Sequence, residues 1–210
     1  MPAIGRRRLL VLVGGLGSTS DAAGIDGFPA ASLGYHPGDV VRFSYNGGRV
    51  PDPTDHPDLG SIPTSSYGSI DTQGHLDDPA TELARMLVEL RRSHPGVAID
   101  LVAHSQGGLV SRLAVNRVPD GNVATLVTLG TPHQGAPLAD VLADVAPDPV
   151  RRRAIAYGMA QAGSDLDPTR PVFAELATTS ELVGHLRANP PPASIRFASV
   201  AAAGDLVVPG

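Results

Sequence analysis

The sequence predicts an α/β fold, with a mostly parallel sheet flanked by helices, in a single domain over residues 1–210. Short runs of valine, leucine and isoleucine alternate along the chain with longer segments of helical periodicity, as expected when helices join the strands of one sheet. The runs are apolar at nearly every position, which is typical of strands covered on both faces. A chain of 210 residues is also long enough to bury a sizeable core.

The elements are expected in a regular order. The predicted strands cover residues 9–13, 39–45, 97–103, 123–129 and 195–200. The first long helix should begin with Asp78 as its N-cap and Pro79 in its first turn, and a second helix is predicted over about 106–118. Ala-rich segments of helical periodicity predict helices over about 138–192, which suit a lid or cap insertion, with ordinary helical decoration of the fold as the alternative. Residues 46–77 are rich in Pro, Gly, Asp and Ser, which predicts a long loop.

Composition excludes several classes of function. The formal net charge of −5 argues against a nucleic-acid surface, which needs clustered basic residues. The chain contains no lysine and no cysteine, so Schiff-base lysines and thiolate metal ligands are excluded, and we expect no cofactor and no metal. Acidic and histidine residues that could be imagined as metal ligands lie in Pro-rich surroundings, where solvated loops are expected: Asp52, Asp55, His56, Asp58, His75, Asp77 and Asp78.

The first residues resemble a signal peptide only superficially. Arg6–Arg8 precede the apolar run Leu9–Val13, but this run is short and two glycines follow it at once, without a convincing cleavage site. We therefore expect the run to be the first core strand, and the protein to be cytoplasmic rather than secreted. No apolar segment is long enough to predict a membrane span.

The most informative stretch lies where the third predicted strand ends. Ala103, Ser105 and Gly107 form a small-x-Ser-x-Gly pattern, with an apolar run before it and a helical pattern directly after it. In a strand-to-helix turn of this kind, one serine is held in a strained backbone conformation above the sheet edge. Small residues are needed because the backbones of the strand and the helix pass close to each other. This context predicts a nucleophilic serine, and a plain Ser-Gly loop is the alternative.

Four segments together resemble the lipase and esterase branch of the α/β-hydrolase family. They are a Gly-rich turn at 14–17, the elbow at 103–108, Gly-Thr-Pro-His-x-Gly at 130–135 and Gly-Asp-x-Val-Val-Pro at 204–209. In the first turn two glycines replace the family's His-Gly pair, and Ala103 replaces the first glycine of the elbow. The resemblance implies the α/β-hydrolase fold and catalytic residues in the order Ser, Asp, His.

The resemblance also implies an oxyanion hole beside the nucleophile. Attack of Ser105 on an ester carbonyl develops negative charge on oxygen, which fixed N–H donors stabilise. The backbone N–H of Gln106 at the helix start is the first expected donor, and the resemblance implies that of Leu16 in the first turn as the second. His133 and Gly107 are expected to be structural residues near the site, with His133 bracing its loop.

The sequence defines an acid but no base. Asp205 is the expected acid because it follows a strand downstream of the serine, and Asp165 and Asp167 are alternatives. The base should follow the acid, and no histidine of the sequence fits that place, since His104 should point away from Ser105. The remaining histidines are expected in loops or on the lid: His36, His56, His75, His94 and His185. We therefore expect the sequence to be a fragment that lacks the final strand, the base-bearing loop and the last helix.

The expected activity is hydrolysis of carboxylic esters, lipid acyl esters included, through an acyl-enzyme on Ser105. An acyltransferase or a thioesterase would use the same machinery, and a catalytically silent hydrolase-like binding domain is an alternative from another class. The expected partner is a small-molecule or lipid ester, with no nucleic acid. Arg151–Arg153 predict a solvated face, with peripheral contact to anionic membrane lipids as the alternative.

Overall fold

The computed structural model describes residues 7–53, 59–145, 148–161 and 165–201, and its architecture confirms the predicted α/β class. The five strands are β1 Arg8–Val13, β2 Val40–Arg42, β3 Ala98–His104, β4 Val123–Leu129 and β5 Arg196–Val200. The α-helices of the described part are α1 Asp77–Ser93, α2 Gly107–Arg117, α3 Pro137–Val145, α4 Pro149–Gln161, α5 Pro171–Leu176 and α6 Glu181–Ala188.

All five strands run parallel, in the spatial order β2-β1-β3-β4-β5. In the centre of the sheet, Val11 of β1 lies opposite Leu101 of β3, which in turn lies opposite Leu126 of β4. Because parallel strands end at the same edge of a sheet, the segments that follow β1, β3 and β4 meet there. These segments are the Gly-rich turn, the Ser-containing elbow and the Gly-Thr-Pro-His-x-Gly segment.

Successive side chains of a strand point to opposite faces of the sheet and pack into two different hydrophobic clusters. On β1, Leu9, Val11 and Val13 face the larger core, which α1 and α2 help to form, whereas Leu10 and Leu12 face a smaller cluster. Both faces of β1 are thus buried, which explains why its sequence is apolar without alternation.

Helix α1 begins earlier than its sequence predicts. It starts at Asp77, so Asp78 lies inside the helix and is not its N-cap. The N-cap position is Leu76, which makes no side-chain capping bond but is buried in the larger core, and its N–H donates to Oε2 of Glu175 at 2.7 Å. The start of the helix is therefore fixed by tertiary contacts, which a local capping pattern does not reveal.

The stretch predicted as a long loop has more structure than expected. It follows strand β2, which covers only Val40–Arg42 of the predicted strand 39–45, and isolated bridges join Arg49 to Phe43 and to Thr64. A short 3-10 helix spans Ser69–Gln73. Buried apolar side chains along this stretch, such as Ile62 and Tyr67, anchor it to the larger core.

The chain between β4 and β5 forms helices, as the periodicity predicts. Helix α5 packs inward through Val172 and Phe173, whereas Val150 and Tyr157 of α4 are exposed. Among the described residues, no helix has the length and apolar character needed to cross a bilayer.

Candidate active site

Ser105 has the backbone strain expected of a residue in a nucleophile elbow. Its φ is 53°, in the left-handed region that non-glycine residues seldom adopt. The Ser105 N–H donates to the carbonyl oxygen of Leu129 at 2.9 Å, and the Thr131 hydroxyl donates to the carbonyl oxygen of Ser105 at 2.8 Å. Two hydrogen bonds to β4 and the residues after it therefore hold the strained turn in place.

Two glycines allow α2 to start directly against neighbouring backbone. A Cβ on Gly107 would lie 2.3 Å from the carbonyl oxygen of Gly14, and a Cβ on Gly108 would lie 2.1 Å from the hydroxyl oxygen of Thr131. Both distances are far shorter than a van der Waals contact, so any larger residue would push the helix away. Gly107, predicted to be structural, thus lies where α2 meets the Gly-rich turn.

The Gly-rich turn is in direct contact with the serine. A Cβ on Gly15 would lie 2.7 Å from the Cβ of Ser105. The Tyr45 hydroxyl donates to the carbonyl oxygen of Gly14 at 2.7 Å, and the Ser18 hydroxyl donates to that of Gly15, also at 2.7 Å. Burial of Tyr45 raises the pKa of its hydroxyl, so this group remains a donor at neutral pH.

The turn and the elbow both present backbone N–H groups at this edge. In the described part of the chain, the N–H groups of Leu16 and Gln106 make no hydrogen bond to another residue. The Gly17 N–H, by contrast, donates to the Thr72 hydroxyl oxygen at 2.8 Å. The Gln106 side chain is fully buried, and its Nε2 donates to the Thr72 carbonyl oxygen at 2.7 Å.

Thr72 therefore joins the turn to the elbow, and sequence reasoning did not single it out. It lies in the stretch predicted as a loop, which has neither periodicity nor a recognisable motif. Tyr45 was not singled out either, because it was expected only as the last residue of the predicted strand 39–45. Their roles depend on contacts between segments far apart in the chain, and a single sequence gives no signal for such contacts.

His133 is bound at both ring nitrogens. Arg112 NH1 donates to Nδ1 at 3.1 Å, and Nε2 lies 2.9 Å from the Thr128 hydroxyl oxygen. An arginine can only donate, so Nδ1 is the acceptor and Nε2 carries the proton that is donated to Thr128. Desolvation, with a smaller contribution from the Arg112 charge, lowers the pKa of His133 to about 4. A neutral imidazole with both nitrogens engaged suits a bracing role better than that of a base.

The other described histidines have different neighbours, although a Cβ on Gly15 would lie 3.3 Å from Nδ1 of His104 as well as 2.7 Å from the Cβ of Ser105. The His104 ring packs against Gly24, where a Cβ would lie 3.1 Å from its Nδ1. Nδ1 of His75 lies 2.7 Å from Oε1 of Glu175, in an ion pair that raises the pKa of His75. In the parts of the chain that the structure describes, no histidine hydrogen-bonds to the hydroxyl of Ser105. Two further candidates, His56 and Asp205, lie outside the described residues.

The two alternative acids lie on the segment that precedes α5. The carbonyl oxygen of Asp165 accepts a hydrogen bond from Gln73 Nε2 at 3.0 Å, and Oδ1 of Asp167 accepts one from the Thr169 N–H at 2.9 Å. Neither carboxylate is hydrogen-bonded to a described histidine. Over the described residues, no three histidine, aspartate or glutamate side chains are grouped as they would be to bind a metal ion.

A pocket of about 400 Å³ opens beside the Gly-rich turn. It is lined by the turn itself, by Ala22–Gly24 and by Asp21, Asp26 and His104. A second groove, of about 790 Å³, lies elsewhere, between α2 and α6, and does not include Ser105. The smaller pocket is lined by Gly15, which contacts Ser105, whereas the lining of the larger groove does not reach the Gly-rich turn.

Comparison with known proteins gives matches to parts of the chain. Residues 70–144 match the family model of a domain of unknown function, DUF7379. A triacylglycerol lipase of Pseudarthrobacter phenanthrenivorans is 47% identical over 47 residues, which are 22% of this chain and 14% of that protein. A GPI inositol-deacylase of Candida albicans is 41% identical over 54 residues, 25% of this chain and 14% of that protein.

Solved structures match nearly the whole chain. The mature lipase BlEst2 of Bacillus licheniformis matches with a TM-score of 0.56 at 21% identity, over 95% of this chain and 66% of that one. The phospholipase PlaB of Legionella pneumophila matches with a TM-score of 0.62 at 15% identity, over 92% of this chain and 39% of that one. The chain thus spans only part of the length of each of these relatives. With its parallel sheet and these lipases as structural neighbours, the chain has the α/β-hydrolase fold.

Proposed function

We propose that this protein is a serine hydrolase that cleaves carboxylic esters, with Ser105 as the nucleophile. The observation that carries the proposal is the strained backbone of Ser105, with φ of 53°, at the edge of the sheet where β3 passes into α2. Such strain persists only where the surrounding structure enforces it, and it is concentrated at functional sites. The names of the lipase and esterase relatives support the same class of substrate.

The N–H groups of Leu16 and Gln106 form the oxyanion hole in this proposal. Ser105 Oγ attacks the carbonyl carbon of the ester, and the carbonyl oxygen becomes an oxyanion that both N–H groups stabilise. The contact between Gly15 and Ser105 supports this arrangement, because it brings the turn within reach of the reacting group. Losing one such donor typically costs about 3–4 kcal/mol of transition-state stabilisation.

The mechanism also requires a general base, which takes the proton of Ser105 and passes it to the departing alcohol. Water then hydrolyses the acyl-enzyme. None of the described histidines is bonded to the serine, so the proposal places the base outside the described residues, with Asp205 as the acid that orients it. His133 and Gly107 hold the surrounding loop and helix.

Lipid acyl esters are the substrates that we propose within this class. Residues 138–192 would form a lid over the acyl site, and the exposed Val150 and Tyr157 of α4 lie on the same helix as Arg151 and Arg153. Apolar and cationic side chains on one exposed helix suit transient contact with an anionic lipid surface. The proposed chemistry uses no cofactor.

A fluorophosphonate probe tests the nucleophile, because it reacts covalently with activated serines. We expect labelling of the full-length protein, and loss of the label in Ser105→Ala. Ser32→Ala is the matched control, since Ser32 is exposed and distant in sequence from the site, and it should be labelled like the wild type. Label that persists in Ser105→Ala would assign the nucleophile to another residue.

Turnover of p-nitrophenyl and thioester substrates then separates the related activities. Faster release from oxygen esters than from thioesters supports an esterase, and the reverse supports a thioesterase. Transfer of the acyl group to an added alcohol in preference to water would support an acyltransferase. If the full-length protein is neither labelled nor active, the catalytically silent binding domain replaces the proposal.

A further inference from the structure

A pocket of about 300 Å³ lies where the strands of the sheet begin, at the edge opposite to Ser105. Asp100, which lines it, is the third residue of β3, and His104 ends that strand about 13 Å further along. Because Ser105 follows His104, the pocket is separate from the candidate active site. Its polar and charged residues are Arg8, Tyr35, Asp100, Thr125 and Arg196.

The register of the strands places three of these side chains in one row. Asp100 of β3 pairs with Thr125 of β4, which in turn pairs with Arg196 of β5. Paired residues of neighbouring parallel strands point to the same face of a sheet, and residues two positions later point there too. Those residues are Val102 and Val127, which belong to or pack against the smaller cluster. The pocket is therefore polar at the start of the strands and apolar beyond it.

The carboxylate of Asp100 is buried and already has partners. Arg8 donates from Nε to its Oδ2 and from NH2 to its Oδ1, and the Tyr35 hydroxyl donates to Oδ2 at 2.7 Å. Burial, together with the neighbouring carboxylate, raises the pKa of Tyr35 to about 12, so this hydroxyl is uncharged at neutral pH. The charges of Arg8 and Asp100 therefore compensate each other.

Arg196 adds a positive charge that the pocket does not compensate. In the part of the chain that the structure describes, Arg196 forms no salt bridge, and its NH2 donates to the Thr125 hydroxyl oxygen at 3.2 Å. NH2 of Arg8 lies 3.3 Å from the same oxygen, so two guanidinium groups meet at one hydroxyl. With Asp100 as the carboxylate of the pocket, one positive charge is left over. An anion placed beside these two cations would be attracted by both.

Apolar side chains line the rest of the pocket. Phe28 and Val127 are half-buried and pack against the smaller cluster. Leu33, at the end of the 3-10 helix Ala31–Leu33, also lines the pocket and is 60% exposed. Apolar walls with a few convergent polar groups are typical of small-molecule sites, and here they suit a ligand with an apolar body and an anionic head.

We propose that this pocket binds a monocarboxylate with an aliphatic body, such as a medium-chain fatty acid. The guanidinium group of Arg196 donates to the carboxylate, whose planar pair of oxygens matches two parallel N–H donors. The aliphatic chain lies against Phe28, Leu33 and Val127. A dianion is disfavoured, because the carboxylate of Asp100 repels its second charge. This inference does not depend on the nucleophile proposed for Ser105.

Isothermal titration calorimetry with octanoate and the full-length protein tests the role of Arg196. Octanoate should bind saturably to the wild type, and its Kd should increase about tenfold in Arg196→Gln, as expected for the loss of a hydrogen bond to a charged group. Arg196 is exposed, so this variant should fold like the wild type. Arg187→Gln is the matched control, because Arg187 is an exposed arginine of α6 and its removal should leave the Kd unchanged.

Three further ligands and a second variant test the apolar part and the charge of the ligand. Acetate lacks the aliphatic body, 1-octanol lacks the charge and octyl phosphate carries a second one, so each should bind about tenfold more weakly than octanoate. Leu33→Ala should increase the Kd of octanoate about threefold, because it removes apolar contact area. Leu138→Ala, at an exposed leucine of α3, should not change it.

Three results would overturn the inference. The first is that the full-length protein does not bind octanoate. The second is an equal Kd for the wild type and Arg196→Gln, which would place the bound octanoate elsewhere on the protein. The third is tighter binding of octyl phosphate than of octanoate, which would exclude a monocarboxylate as the preferred ligand. None of these results bears on the labelling of Ser105, so the proposed function is tested separately.

Discussion

Arg112 donates a hydrogen bond from NH1 to Nδ1 of His133 at 3.1 Å, and this contact connects the helix that begins at the elbow with the loop that follows β4. NH2 of the same arginine donates to the backbone carbonyls of Leu186 and Asn189, in and just after α6. A buried cation thus joins the elbow helix to the insertion. Burial lowers the pKa of Arg112, and an arginine stays charged in proteins at neutral pH.

Arg112→Met should therefore destabilise the protein. The substitution leaves the carbonyl oxygen of Leu186 and Nδ1 of His133 without their donor, which costs about 1–3 kcal/mol for each buried group. Urea unfolding followed by circular dichroism measures the loss. Arg187→Met is the control, because that arginine is exposed and its single hydrogen bond goes to the carbonyl oxygen of Gln134. Equal unfolding midpoints for the two variants would contradict a bracing role for Arg112.

The low pKa of His133 predicts a loss of stability in mild acid. The ring has a pKa of about 4 in the folded protein and 6.5 in the unfolded chain, so between these values the unfolded chain binds the extra proton. Stability should therefore fall as the pH decreases from 6.5 towards 4. The effect should not exceed about 2 kcal/mol, since the ring is only partly buried and solvent screens it.

A His133→Gln variant provides the comparison for this pH dependence. Glutamine can still bond to neighbouring groups but does not titrate, so its unfolding free energy should vary less between pH 6.5 and 4. The free energy of unfolding at several pH values measures the difference. The same slope in both proteins would show that other groups cause the acid sensitivity.

Gly107→Ala should displace the start of α2 from the Gly-rich turn. The new methyl group would lie 2.3 Å from the carbonyl oxygen of Gly14, and overpacking of this kind costs about 1–3 kcal/mol. Fluorophosphonate labelling should slow as well, because the same shift moves the elbow. Gly184→Ala, in α6 where nothing lies within 4 Å, should instead stabilise the helix by up to about 1 kcal/mol. A Gly107→Ala variant as stable and as reactive as the wild type would refute the close approach.

Thr72→Val tests whether the turn must be held by a hydroxyl group. Valine has nearly the same shape as threonine but cannot accept the hydrogen bond of the Gly17 N–H. We expect about 1–3 kcal/mol of destabilisation from the unpaired groups and a slower reaction of Ser105 with the probe. Thr179→Val, at an exposed position, should change neither property. Unaltered probe reactivity in Thr72→Val would show that the hydrogen bond from Gly17 to Thr72 is not needed for the reaction of Ser105.

The sequence allowed the strands and the elbow to be predicted because their signals are local. The run from Val123 to Leu129 became β4 with the same bounds, and the small residues around Ser105 indicated a tight turn before any contact was known. The α1 start was predicted wrongly at Asp78, because burial of Leu76 outweighed the local capping pattern. Capping preferences are worth about 1 kcal/mol, which tertiary packing easily exceeds.

The residues that hold the Gly-rich turn and the segment before α5 in place could not be predicted in the same way. Thr72 and Gln73 each bind partners that lie far away in the sequence, Gly17 and Asp165. Their own surroundings in the chain have the composition of a loop, so nothing local distinguishes them from solvated polar residues. Only the packing of the 3-10 helix against the sheet edge brings these groups together.

The left-handed backbone of Ser105 sets the stability of the fold against the chemistry that we propose for this residue. Glycine adopts this conformation without the steric penalty that a side chain brings, so Ser105→Gly should make the fold more stable by about 1 kcal/mol while removing the hydroxyl group. Thermal unfolding of Ser105→Gly and Ser105→Ala measures this gain in stability. Alanine also removes the hydroxyl group but keeps the backbone strain, so only the glycine variant should be stabilised. In the proposed function, the chemistry of the serine hydroxyl offsets this loss of stability.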